Sequence, residues 1–186
     1  MSATTHTQPC RHTGHAPWRT AVMALVFLLT AWMQRATAQS NSESDLKAMF
    51  IYNFVKYVEW PPSGGSSFRI GVVGDSPVSD ALRKVAEQKR ALGKPIEVVT
   101  LAPGQWTDVH VLFIVGNTAV EDAIAHYNNR AALIITESNR RMPKGSMINL
   151  INRDNKIRFE LNLIEAKESN LRIASQLANL AEKVIQ

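Results

Sequence analysis

Beyond residue 38 this 186-residue chain offers few groups that could do chemistry: two histidines, a glycine loop carrying an aspartate, and an Arg-x-Glu pair. The loop is Gly71-Val72-Val73-Gly74-Asp75-Ser76. It lies where a β-branched run hands over to a helical pattern, the position at which α/β proteins hold phosphates and carboxylates. It lacks the third glycine of a dinucleotide loop and the Lys-Ser/Thr of a P-loop. Gly74, Asp75 and Ser76 therefore serve either as a turn with a helix cap or as a seat for a small anion. His110, between Val109 and Val111, reads as a core histidine or a base, and His126 as a cation near a helix C-terminus. Neither has metal-site spacing, so no metal or other cofactor is implied. Arg158 and Glu160, two apart on a strand, share a face and form either an ion pair or a polar recognition pair. Asp75 and Glu160 could meet only if the fold brought them together. No serine sits in G-x-S-x-G and no activated nucleophile is visible, so the residues point away from an enzyme.

The elements that must position these groups alternate. Phe68–Val73 is a buried strand, and Asp75 or Ser76 with Pro77 opens a helix through Leu82 and Val85. Gly93-Lys94-Pro95 ends that helix before a strand over 96–101. Val109–Val115 is the most apolar strand, followed by a helix to about Tyr127 and a strand over 132–136. Residues 147–152 and 156–162, joined at Arg153-Asp154-Asn155, predict an antiparallel hairpin at a sheet edge. Helices are expected over 163–170, ended by Asn170, and over the last residues, where Ile173, Leu177, Leu180, Ala181 and Val184 form an apolar stripe. The order implies an α/β fold: a single-domain mixed sheet flanked by helices on both faces, with an antiparallel C-terminal hairpin.

The run Lys47–Pro61, K-A-M-F-I-Y-N-F-V-K-Y-V-E-W-P, predicts an aromatic-rich helix. At about 100° per residue, Leu46, Met49, Phe50, Phe54, Tyr57 and Trp60 cover one face, and Ile51, Val55 and Val58 a second, nearly opposite one. A helix apolar on two sides is either sandwiched in its own domain or half covered by a partner or a second copy. On that reading Ile51, Asn53, Phe54, Val55, Tyr57, Val58 and Trp60 are candidates for a partner or dimer interface. Asn53, inside the first apolar face, needs a polar partner if buried.

Residues 1–38 carry Arg11 and Arg19, an apolar run over 21–32, and Ala36-Thr37-Ala38. This is the pattern of a secretory signal cleaved after Ala38, the apolar run being shorter than the roughly 20 residues that span a bilayer. A retained anchor is the alternative. Cys10, the sole cysteine, leaves with the signal, so the exported chain has no disulfide and no thiolate site. Three of the 21 basic residues leave with it, so 18 face 16 acidic ones and the net charge is +2. The remaining basic residues are scattered, which argues against nucleic acid. The 148 residues left suit one domain.

The aromatic helix, the strand I-G-V-V-G-D, the apolar V-H-V-L-F-I, the segments G-S-M-I-N-L and R-F-E-L-N, and the ending L-R-I-A-S-Q-L-A-N-L-A together resemble the YfiR-like family of periplasmic proteins. The resemblance runs from about Leu46 to Val184. It implies a mixed sheet flanked by helices, residence in the periplasm, a homodimer and no catalysis. It further implies that the partner is the periplasmic region of an inner-membrane signalling protein, such as a diguanylate cyclase, with an outer-membrane lipoprotein able to sequester the regulator. Cyclic-di-GMP signalling and biofilm formation would then be controlled indirectly. The redox sensitivity of relatives does not transfer to an exported chain without cysteine. The alternative function is a periplasmic small-ligand binding protein using Gly74-Asp75-Ser76.

Overall fold

A computed structural model describes residues 43–62, 64–116, 119–128 and 130–186. The segment over 1–38 expected to be a secretory signal lies outside the described residues, and 41–186 form one compact unit.

Residues 43–56 form helix α1. It ends there because Tyr57 turns back to the Phe54 carbonyl and β1 (Val58–Glu59) pairs antiparallel with β9 (Arg172–Ile173). Pro61 and Pro62 follow, and the residue before a proline avoids helical geometry. The helix expected to reach Trp60 is thus shorter at that end. After β2 (Phe68–Val73), α2 (Pro77–Gln88) opens as anticipated: Ser76 is its N-cap, accepting from the Val78 amide at 3.2 Å, with Pro77 in the first turn. There follow β3 (Arg90–Ala91), β4 (Lys94–Leu101), β5 (Val111–Ile114), α3 (Val120–Tyr127), β6 (Leu133–Glu137), β7 (Ile148–Arg153) and β8 (Lys156–Asn162). The chain closes with α4 (Leu163–Glu168), β9, α5 (Ser175–Ala178) and β10 (Lys183–Ile185).

Eight strands form one sheet in the order β10-β8-β7-β6-β5-β2-β4-β3, and β1 with β9 forms a small second one. Strands β4, β2, β5, β6 and β7 run parallel, β8 is antiparallel to β7, and β3 is antiparallel to β4. From β2 the chain crosses through α2 to β4 on one side, and from β5 through α3 to β6 on the other. Right-handed crossovers moving in opposite directions place α2 and α3 on opposite faces. The mixed α/β sheet flanked by helices is thus the fold of the chain.

The face carrying Phe68, Val72, Phe113, Ile135, Ile148, Leu150 and Phe159, which follow one another across the paired registers, receives α1. Phe54 meets Phe159 edge-on at 5.0 Å between centroids, and Lys47 reaches Glu137 on the same face. Central strands buried on both faces read as unbroken apolar runs, which is why Val111–Ile114 and Leu133–Ile135 are almost wholly buried.

Two expectations are corrected. The β7–β8 hairpin turns at Asp154 and Asn155, both in the left-handed region (φ 52° and 56°), as a two-residue turn requires, but it is not the edge of the sheet. β10 lies outside it, parallel to β8. The long last helix is instead β9, a single turn of α5, and β10. Asn170, at φ 57°, ends α4 as foreseen, but the segment beyond it is drawn into pairing by backbone bonds from Ala174 to Tyr57 and from Glu182 to Phe159.

Candidate functional site

Helix α1 carries two chemically different apolar sides. Ala48, Ile51, Phe54 and Val55 are buried, as is Val58 just beyond the helix. Ile51, Val55 and Val58 therefore belong to the core in this conformation and cannot reach a partner, and Phe54 lies with them. What faces water is the other side: Leu46 is 48% exposed and Met49 38%, with half-buried Phe50 beside them. Residues 46, 49 and 50 stand at i, i+3 and i+4, so they form one stripe. Phe50 is tilted against Phe54 at 5.9 Å and Phe159 at 6.3 Å, which holds the stripe's inner edge.

Phe50 also walls a groove of about 300 Å³ bounded by Ile157 of β8 and by Leu180 and Ala181 just before β10. Leu180 is 65% exposed. The sequence reading missed its role because Leu180 fits the spacing of an amphipathic last helix. Asn179 and Glu182 fall on the polar side of the same helical projection, so no local signal in the sequence marked Leu180 as exposed.

The stripe is held rigidly. Lys47 bonds Glu43 at 2.7 Å and Glu137 at 2.8 Å, pinning the helix to the end of β6. Burial alone would lower the Lys47 pKa, but the bonds to the two carboxylates outweigh it and the net shift is upward. The Tyr52 hydroxyl donates to the Arg90 carbonyl at 3.3 Å, and Lys56 lies over the Tyr52 ring. Asn53 is only partly buried, and its amide oxygen accepts from Lys56 at 3.1 Å, so it answers to its own helix rather than to a neighbouring element. Trp60 donates from Nε1 to the Val55 carbonyl at 3.0 Å, satisfying one of the orphan acceptors at the helix end. Its ring stands edge-on to Phe68 at 5.2 Å, and half-buried Tyr57 packs against the core beside it.

The remaining candidates disperse. Gly74 occupies the left-handed region at φ 94°, and its amide bonds the Leu101 carbonyl at 3.2 Å. The Ser76 hydroxyl caps Val78, the Ser79 amide bonds the Ser76 carbonyl, and Asp75 is exposed. The Gly74, Val78 and Ser79 amides are thus engaged within the turn and cap.

Arg158 and Glu160 do not pair. Arg158 donates to Glu182 at 2.6 Å and Arg153 to the other oxygen at 2.7 Å, so two arginines clamp the segment entering β10. The Arg158 bond, foremost, with the Arg153 charge behind it, holds the Glu182 carboxyl below its ordinary pKa. Glu160 instead accepts from Asn149 at 3.1 Å. Asn149 is fully buried and also bonds Thr136 and both backbone groups of Ser138.

His110 accepts at Nδ1 from the Arg69 amide at 3.0 Å and stacks on Phe68 at 4.5 Å. Burial, then the charges of Lys94 and Arg69, push its pKa down, so it is neutral at pH 7. His126 lies in the last turn of α3, stacked on Trp106.

None of the helices among the described residues is long and apolar enough to cross a membrane. Over residues 44–182 the chain matches a family model described as YfiR/HmsC-like. No curated protein gives a match. The match takes in α1, every strand of the large sheet except β10, and the segment that Glu182 closes: the chain belongs to the YfiR/HmsC-like family.

Proposed function

We propose that the protein is a non-enzymatic regulator in the periplasm that docks on the periplasmic region of an inner-membrane signalling protein, such as a diguanylate cyclase, and lowers cyclic-di-GMP signalling without touching the nucleotide. The observation that carries this reading is the stripe of Leu46, Met49 and Phe50: large apolar side chains left in water on a helix whose other side is fully occupied by core. An exposed apolar surface beside a groove is what a protein partner covers. Family membership supports the regulatory theme. Residues 1–38 serve as the secretory signal, removed after Ala38, leaving 39–186 as the working domain. A homodimer and a sequestering outer-membrane lipoprotein complete the proposal, competing for the same stripe.

The docking surface thereby moves from Ile51, Val55 and Val58 to Leu46, Met49 and Phe50, with Leu180 at its rim. A pull-down from solubilised membranes tests it, with the mature chain as bait beside Leu46→Glu/Met49→Glu, a variant whose charges sit in water and leave the core intact. Recovery of an inner-membrane signalling protein by the wild type and its loss in the folded variant is the expected result. Equal recovery by both would move the contact elsewhere.

The reading as a carrier of small ligands through Gly74-Asp75-Ser76 is less supported, since the Gly74 amide and the acceptor side of the Ser76 hydroxyl are used by the turn and the helix cap.

A further inference from the structure

A second concave surface lies at the opposite end of the strands from the Gly74 loop. It is a groove of about 620 Å³ between the segment over 64–69, the approach to β5 and the end of α3. That volume is in the range of small-molecule sites. Two arginines line it, Arg69 from β2 and Arg130 from beyond α3. Each is half engaged: Arg69 donates from Nε to Glu97 at 2.9 Å, and Arg130 from Nη1 to Asp108 at 3.1 Å. A guanidinium has five N–H donors, so each pair leaves donors over for a ligand.

The lining carries two guanidinium groups against one carboxylate, that of Asp108, whose side chain is 91% exposed, while Glu97, the partner of Arg69, lies outside the lining. At neighbouring His110 the cations Lys94 and Arg69 act against protonation, which marks the same positive field. The rest of the wall is chemically mixed. Ser66 and Ser67 bring hydroxyls, while Val109 and Ala131 are apolar. Tyr127 is buried behind this wall with its hydroxyl engaged by the Thr107 carbonyl, so it backs the groove without presenting a surface of its own.

The geometry points to a binding site for a small organic anion, a carboxylate or phosphate monoester held between Arg69 and Arg130 with its apolar body against Val109 and Ala131. Arginine forks suit both anions because they bond two oxygens at once. The site uses no residue of the docking stripe, so it stands or falls independently of the regulatory reading.

The test is a thermal-shift and calorimetric titration of the mature chain with phenyl phosphate and benzoate, with inorganic phosphate as the probe lacking an apolar body. Ionic strength is held constant with chloride. At about a hundredfold the dissociation constant, phenyl phosphate or benzoate should raise the melting midpoint by about 5 °C. Arg69→Gln and Arg130→Gln, both on the surface, should each weaken binding about tenfold or more, and Arg140→Gln, outside this groove, should leave it unchanged. Absence of saturable binding by every probe would overturn the site, as would equal binding by the groove variants or an equal loss in Arg140→Gln. Inorganic phosphate binding as tightly as phenyl phosphate would remove the apolar wall from the proposal.

Discussion

Asn149 and Glu182 show how single polar side chains decide local structure here. Asn149 has no exposed surface, and its amide serves the Thr136 hydroxyl, the Ser138 backbone on both sides and the Glu160 carboxylate. Truncation would remove these hydrogen bonds, each worth about 0.5–1.5 kcal/mol, and take from the Ser138 carbonyl and the Glu160 carboxylate the donor they share. Asn149→Ala should therefore destabilise the domain by about 3 kcal/mol in urea titration, far more than a surface Asn→Ala. Glu182 acts through charge. Its carboxyl is held below the ordinary value of 4.5, chiefly by Arg158. As pH falls below that value the unfolded chain takes up the proton before the folded one, so the carboxylate's contribution is present above it and disappears as pH falls through the depressed folded pKa. Wild type should lose its stability advantage over Glu182→Gln as pH falls from neutral to well below 4.5. Paired unfolding titrations across that range check it, and an advantage that does not change with pH would remove the clamp from the account. The Ser76 cap and the left-handed Asn170 were legible as residues because their side chains act on their own backbone. The partners of Arg158 and Glu160 were not, because both lie on segments whose course depends on pairing remote in sequence.

Among the elements, α1 makes the sharpest statement. A wheel projection divides its apolar residues into two faces but cannot tell which is covered, since burial belongs to the sheet that receives the helix. Phe54 and Ile51 went inward, while Leu46 and Met49 stayed out. Phe54→Ala should cost about 3–5 kcal/mol by removing the ring that meets Phe159. Met49→Ala should stay within about 0.5 kcal/mol. Chemical denaturation of the two variants measures this, and similar losses would mean that both faces are core. Long runs such as Phe68–Val73 and the hairpin across Asp154-Asn155 could be read because periodicity and turn chemistry agree there. Strands β1, β3 and β9 have two residues each, too few for any period to register. β10 was hidden for a different reason: Leu177, Leu180, Ala181 and Val184 carry helical spacing, whereas the pairing with β8, the Arg153–Glu182–Arg158 clamp and the Glu182–Phe159 backbone bond, all remote in sequence, draw that stretch into the sheet.

At the scale of the whole molecule, the described unit is a mixed sheet with its chemistry-bearing residues turned to structural work and one helix face left uncovered. That combination, rather than any single motif, is what the proposed docking role rests on. The order of strands along the chain was readable because buried parallel strands and crossover helices impose it. The outermost positions were not, since nothing local says whether a hairpin or a later strand closes the sheet. The central claim concerns what the uncovered face does in the cell. The most direct test is the level of cyclic-di-GMP in cells lacking the protein, complemented either with wild type or with the folded Leu46→Glu/Met49→Glu variant at equal abundance. Docking through the α1 stripe predicts that loss of the protein raises the level, that wild type brings it down again, and that the variant does not. A variant that lowers cyclic-di-GMP as fully as wild type, or a level that never changes when the protein is removed, would contradict the account.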